Sequence, residues 1–252
     1  MNADRGPIPL DRIDHFPDAL IGAEPADILT ILPNPTLITI DGDQERPLWV
    51  TTLLHGNETT SFYVLRALAE RYRAEPPPRS LTLFVGNVQA MAAGVRHLPD
   101  QPDFNRIWAE GSGPYHDLVH QVCETARQQI PFASIDIHNN SGSNPHYGCV
   151  NALRPADLQL AAMFADLGVF YRNPPTTQSI AFSACSSLLS LIAIGQANSS
   201  ALFSIPASSP IWSSITSTLL AEAFLQFASA IRHRPPERRS EHSSIRAGEK
   251  CG

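Results

Sequence analysis

The chain has 252 residues, a mass of 27.5 kDa and a formal charge of −6, with 43% hydrophobic and 17% charged residues. That length can bury a sizeable core, and the acidic balance argues against a broad nucleic-acid footprint. Four scattered cysteines (Cys123, Cys149, Cys185, Cys251) form no C-x-x-C pair, so neither a disulfide scaffold nor a cysteine-rich zinc knuckle is expected. The first twenty residues are broken by charges and prolines and do not read as a secretory signal. No charge-free apolar run has the ~18 residues of a membrane span, so the expectation is a soluble cytoplasmic protein without membrane partners.

In chain order, residues 28–32 (ILTIL) and 36–40 (TLITI) are apolar, β-branched runs separated by Pro33-Asn34-Pro35, which predicts an opening hairpin. A third strand is predicted over 48–54, stopping at His55-Gly56-Asn57-Glu58. Helical spacing of Phe62, Leu65, Leu68 and Ala69 predicts a helix over roughly 59–73, terminated by Pro76-Pro77-Pro78. Strand 81–85 precedes a Gly- and Pro-punctuated loop reaching Trp108. A helix over 115–130, a strand over 133–137 and a helix over 155–167 follow. Strands alternating with helices predict an α/β fold with a mostly parallel, mixed central sheet flanked by helices.

From Asn173 through Ala221 there is no charged residue and serine is frequent. A strand is expected at 188–194 and a helix at about 213–232. The tail 233–252 lacks apolar periodicity and is expected to be disordered. One α/β domain over 1–232 results, best defined over 20–182.

In such a sheet, ligands bind where loops converge at the carboxyl ends of strands. Two polar clusters take that position: His55-Gly56-Asn57-Glu58, and Asp136-Ile137-His138-Asn139-Asn140. His55, Glu58 and His138 would supply two imidazoles and a carboxylate, the donor set of a catalytic zinc with one position open to water. Gly56 is expected to permit a bend that a bulkier residue would resist. His-x-x-Glu alone is a weak signal, since a histidine beside a helix start and a glutamate in its first turn is an ordinary arrangement. The position of both clusters at strand ends strengthens it.

Leu54-His55-Gly56-Asn57-Glu58, Gly94-Val95-Arg96, Asp103-Phe104-Asn105-Arg106 and Asp136-Ile137-His138-Asn139 occur in that order. Read together, they resemble the succinylglutamate desuccinylase/aspartoacylase family, a branch of the zinc carboxypeptidase superfamily. The resemblance covers roughly residues 20–182 and implies a zinc-carboxypeptidase-like fold. It implies one Zn2+ per chain on His55, Glu58 and His138, and Arg96 polarising the scissile carbonyl. Asn105 and Arg106 would hold the carboxylate of a small-molecule substrate. The chemistry is consistent: zinc acidifies its water, an arginine stabilises the oxyanion, and a second arginine forks a carboxylate. Asp136 is expected to support the strand end or a ligand rather than bind metal. His146 and Tyr147 could line the pocket or serve an ordinary loop.

The resemblance also implies a glutamate acting as general base and acid, in a pattern like T-x-E-x-G-Q. The comparable stretch here is Ser190-Leu191-Ile192-Ala193-Ile194-Gly195-Gln196, with Ala193 in the glutamate's place. No acidic residue lies between Asp166 and Glu222. The family's C-terminal β-rich portion is expected to be missing, as in a truncated or degenerate member. Two functions follow: a zinc-dependent hydrolase of small N-acyl amino acids, or a catalytically silent zinc- or carboxylate-binding relative. A peptide carboxypeptidase with the same ligands ranks below the small-substrate hydrolase. His116, His120 and Glu124, spaced by four, read as a polar helix face rather than a second metal site. No G-x-S-x-G elbow, phosphate loop or dinucleotide fingerprint is present. Self-association is left open.

Overall fold

The computed structural model describes residues 6–140, 146–186 and 189–196. Eight strands form one sheet: β1 (Asp11–Ile13), β2 (Thr36–Ile40), β3 (Leu48–Thr52), β4 (Leu81–Val85), β5 (Ala133–Asn140), β6 (Tyr147–Val150), β7 (Gly168–Phe170) and β8 (Leu189–Gln196). Their spatial order is β1-β2-β4-β3-β5-β8-β6-β7. The central four, β4, β3, β5 and β8, run parallel, whereas β2 and β6 join them antiparallel from either side. The mostly parallel, mixed sheet expected from the sequence is therefore present.

The helices are α1 (Ile28–Ile31), α2 (Thr60–Arg71), α3 (Val88–Ala93), α4 (Pro114–Gln129), α5 (Pro155–Phe164) and α6 (Gln178–Ser186). Every residue of β3 and β4 is buried, as befits strands covered on both faces. On one face Val50, Leu83, Ile135 and Ile137 pack with Phe62, Leu65 and Leu68 of α2 and with Leu160 of α5. On the other, Trp49 and Phe84 meet Trp108, Leu118 and Val122 of α4, and Phe182 of α6. Trp49 and Phe182 have ring centroids 5.2 Å apart.

The opening hairpin does not form. Residues 28–31 are helical, and β2 pairs instead with β1 and β4. In ILTIL the buried side chains are Ile28 and Leu32, four apart, while Leu29 and Thr30 face solvent; that burial period is helical, not alternating. The turn Pro25–Asp27 starts the chain into this helix, with Asp27 Oδ2 accepting from Glu24 N at 2.9 Å. The loop predicted between strand 81–85 and Trp108 contains α3. Asn87 caps it by accepting from Ala90 N at 3.1 Å, and Gly94 ends it in the left-handed region at φ 64°. Strand 133–137 extends through Asn140, so the second polar cluster lies within the strand rather than beyond it. The helix expected at 213–232 and the tail 233–252 lie outside the described residues.

Candidate metal centre

β3 ends at Thr52, and Leu53 turns the chain with φ 57°, a conformation costing a non-glycine residue roughly 1–2 kcal/mol. Hydrogen bonds hold it there. Leu53 N donates to Ser61 Oγ at 3.2 Å, and its carbonyl accepts from Asn87 N at 2.6 Å. The turn delivers His55 and Glu58, both buried, just ahead of α2. Gly56 within it has an unremarkable φ. A Cβ built there would lie 2.0 Å from the Ala90 carbonyl carbon, so the requirement is a close approach to the α3 backbone rather than the expected bend. Gly56 N also donates to Arg96 O at 3.2 Å, tying this turn to the arginine's loop.

His138 arrives from β5, and the three side chains converge although eighty residues separate Glu58 from His138. His55 Nδ1 lies 2.7 Å from Glu58 Oε1, and His138 Nδ1 lies 2.8 Å from Glu58 Oε2. The two rings stand 4.9 Å apart. One ligand atom from each residue falls within 4.8 Å of the others, and all three side chains are buried. Two imidazole nitrogens and a carboxylate oxygen at this spacing suit a tetrahedral divalent ion that keeps one position open.

Each imidazole is backed by a carboxylate at its other nitrogen. Asp103 Oδ1 lies 2.9 Å from His55 Nε2, and Asp136 Oδ2 lies 3.0 Å from His138 Nε2. Such partners orient a ligating ring and fix its tautomer. Asp103 does more, since Arg96 donates to its Oδ2 from Nε at 3.1 Å and from Nη2 at 2.9 Å. Arg96 Nη1 also stands 3.5 Å from Glu58 Oε1, so the guanidinium borders the cluster while remaining 41% exposed. Asp103 heads the D-F-N-R motif. Its carboxylate is the link between the arginine and His55.

The remaining predicted residues are placed as follows. Asn105 is buried, with Oδ1 accepting from Gln178 N at 3.1 Å and Nδ2 lying 3.2 Å from His138 Nε2. Arg106 is exposed and donates to the Asn105 carbonyl at 2.7 Å, outside the carboxylate network. Asn139 N donates to Glu58 Oε2 at 2.9 Å, and its side-chain oxygen accepts from Thr60 N at 3.0 Å, joining β5 to the start of α2. Tyr147 opens β6, two strands from His138 across β8. His116 and His120 have rings 6.4 Å apart on α4, away from this cluster.

Electrostatics follow from these contacts. Burial alone would push the Glu58 carboxyl up, but His138 and then His55 outweigh it and hold it well below the usual range. Asp103 is likewise lowered against its burial, by His55, the Asn105 N–H and Arg96. Burial would lower His138, yet Asp136 and Glu58 raise it well above the ordinary imidazole value. All three carboxylates of the cluster are thus engaged by histidine or arginine, and none of them is left as a free base. At the expected base position, the register of β8 sets Ala193 beside Ile137 of β5 and Gly148 of β6.

A family model described as the succinylglutamate desuccinylase/aspartoacylase catalytic domain matches residues 45–186, more than half of the chain. No curated protein matches it. Among solved structures, a metallo-carboxypeptidase from Pseudomonas aeruginosa in complex with (2-guanidinoethylmercapto)succinic acid is 17% identical, with a TM-score of 0.64 over 79% of this chain and 61% of that one. A metallo-carboxypeptidase from Burkholderia cenocepacia is 16% identical, with a TM-score of 0.62 over 78% of this chain and 60% of that one. The succinylglutamate desuccinylase from Chromobacterium violaceum is 15% identical, with a TM-score of 0.61 over 79% and 66%. At such identities the likeness is one of fold, and this chain spans less than two thirds of the length of each of the three. No helix among the described residues is long and apolar enough to cross a membrane.

Proposed function

The chain belongs to the succinylglutamate desuccinylase/aspartoacylase catalytic-domain family, and from that membership we propose that it is a zinc-dependent hydrolase cleaving the amide bond of a small N-acyl amino acid. The observation that carries this reading is the convergence of His55, Glu58 and His138 to within 4.8 Å, with a carboxylate behind each imidazole. These three residues would hold the ion. Zinc bound there would supply a water acidified toward neutrality and a Lewis acid for the amide oxygen.

The chain's own residues do the rest. Arg96, held by Asp103, places guanidinium N–H groups at the edge of the cluster, where they stabilise negative charge growing on the carbonyl oxygen. Arg106 has a guanidinium free of ion pairs among the described residues and can fork a substrate carboxylate, with Asn105 beside it. Cytoplasmic location and a small carboxylate partner complete the reading. The test is metal analysis followed by assay on N-acylated acidic amino acids. One zinc per chain and hydrolysis abolished by chelation are expected; a chain that takes up no divalent metal overturns it.

A second reading, a silent zinc- or carboxylate-binding relative, is favoured by Ala193 and by the engagement of every carboxylate in the cluster. Loss of a general acid–base costs ~10²–10⁴ in rate. Zinc and carboxylate binding without turnover, with hydrolysis appearing in Ala193→Glu, decides for the silent relative. Turnover by the unaltered chain decides for the hydrolase.

A further inference from the structure

The two edges of the sheet are finished differently. β1 carries Asp11 and Arg12, and Arg12 Nη2 donates to Thr125 Oγ1 at 2.9 Å, so charged side chains guard that edge. β7 closes the opposite side and pairs with β6 alone among the described residues. Its sequence, Gly168-Val169-Phe170, holds neither charge nor proline, and all three residues are exposed. Of the nine large apolar side chains exposed among the described residues, six fall in 153–170: Leu153, Leu158, Met163, Leu167, Val169 and Phe170. A bare apolar edge strand is a template for another strand.

The backbone restricts how such a strand can sit. Gly148 N donates to Leu167 O at 2.9 Å and Tyr171 N donates to Val150 O at 3.0 Å, so residues 167 and 171 turn their polar groups toward β6. By alternation Val169 does the same, while Gly168 and Phe170 turn theirs to the open edge. A second β7 running antiparallel must match outward residues with outward residues, which puts the two-fold axis at a residue rather than between two. An axis at Gly168 sets Asp166 against Phe170, and an axis at Phe170 sets Gly168 against Arg172. An axis at Val169 sets Asp166 against Arg172 at both ends and lays each Phe170 beside the partner's Gly168. That register alone matches opposite charges and covers a glycine with an aromatic ring. Neither Asp166 nor Arg172 has an ion pair among the described residues, and the Arg172 guanidinium lies 6.0 Å from the centroid of the Phe170 ring.

We propose that β7 is the site of self-association, where two copies of this chain pair antiparallel about Val169 and join their eight-stranded sheets into one. The pairing uses the same patch on both copies, so it closes at two. It does not depend on the metal reading. Sedimentation velocity of the unaltered chain over a concentration series is expected to show a monomer–dimer equilibrium. Asp166→Arg and Arg172→Asp each set like charges against each other at both ends, and each variant alone should dissociate about tenfold more readily or worse. An equimolar mixture of the two variants meets opposite charges at both ends and should dimerise about as well as the unaltered chain. Cover of this edge by another segment of the chain, or by a different protein, predicts no such rescue. Thermal midpoints of the separate variants report whether either has lost its fold. Should one fail, hydrogen exchange of the unaltered chain keeps the test open: the amides of Gly168 and Phe170 should slow as concentration rises. A chain that stays monomeric, a dimer indifferent to both reversals, a mixture that is not restored, or exchange at those two amides independent of concentration overturns the proposal.

Discussion

The sheet divides into two regions with different equipment. The half built from β2, β4, β3 and β5, with their loops, supplies the candidate metal donors together with Asp103, Arg96, Asn105 and Arg106. The half built from β8, β6 and β7 carries Ala193, which stands in the sequence where the family pattern has its glutamate and which pairs with Ile137 of β5 and Gly148 of β6. On the proposed function, metal capture and proton transfer fall to different strands, so one can stay assembled while the other is lost. The region that binds needs many donors held together, whereas the region that moves the proton hinges on one residue.

The largest effect expected is at that single residue. On the silent reading, Ala193→Glu should raise amide hydrolysis by ~10²–10⁴ over the unaltered chain, read in steady-state assays at saturating zinc. An unchanged rate breaks the division and places the base elsewhere. Arg96→Ala should lower whatever hydrolysis is measured by ~10²–10³, mainly in kcat, while zinc affinity stays close to that of the unaltered chain. Loss of zinc binding instead would show that the arginine and the donors cannot be separated.

Stability gives a third contrast. Trp49 is fully buried in β3 against Phe182, so Trp49→Ala should cost about 3–5 kcal/mol by denaturant titration. A much smaller loss would mean that the face carrying α4 and α6 contributes little to the donor-bearing half. The smallest effect is on the far strands. Burial pushes the Cys149 thiol of β6 up to about 11. Its thiolate is therefore scarce at pH 8, and greater intrinsic nucleophilicity offsets only part of that. Alkylation followed by peptide mass mapping should run about tenfold to a hundredfold slower than for a free thiol, rising steeply toward pH 11. Fast labelling at pH 8 would show that β6 is not packed as described.

The sequence was most legible where burial is complete. LWVTT and LTLFV are buried on both faces and could hardly be anything but central strands, and the helix carrying Phe62, Leu65 and Leu68 shows its inner face directly. His55, Glu58 and His138 were legible because both clusters interrupt apolar runs, the first just beyond β3 and the second within the last residues of β5. ILTIL misled because a β-branched run of five residues suits either period, and its burial was decided by the core around Ile28 and Leu32. The short helix after Asn87 was hidden although both its cap and its terminal Gly94 were in plain view. The double duty of Asp103 depends on the D-F-N-R loop folding onto a histidine 48 positions earlier, and no local pattern encodes that.

The contact of Gly56 with the α3 backbone has a practical meaning for altering specificity. Main chain against main chain leaves no side chain to trim, so the His-Gly-Asn-Glu turn and the segment 87–94 form a single block that combinatorial libraries should inherit unchanged. Diversity is better directed at the exposed rim around Val95, His97 and Arg106, where new shapes can be explored without unseating the donors.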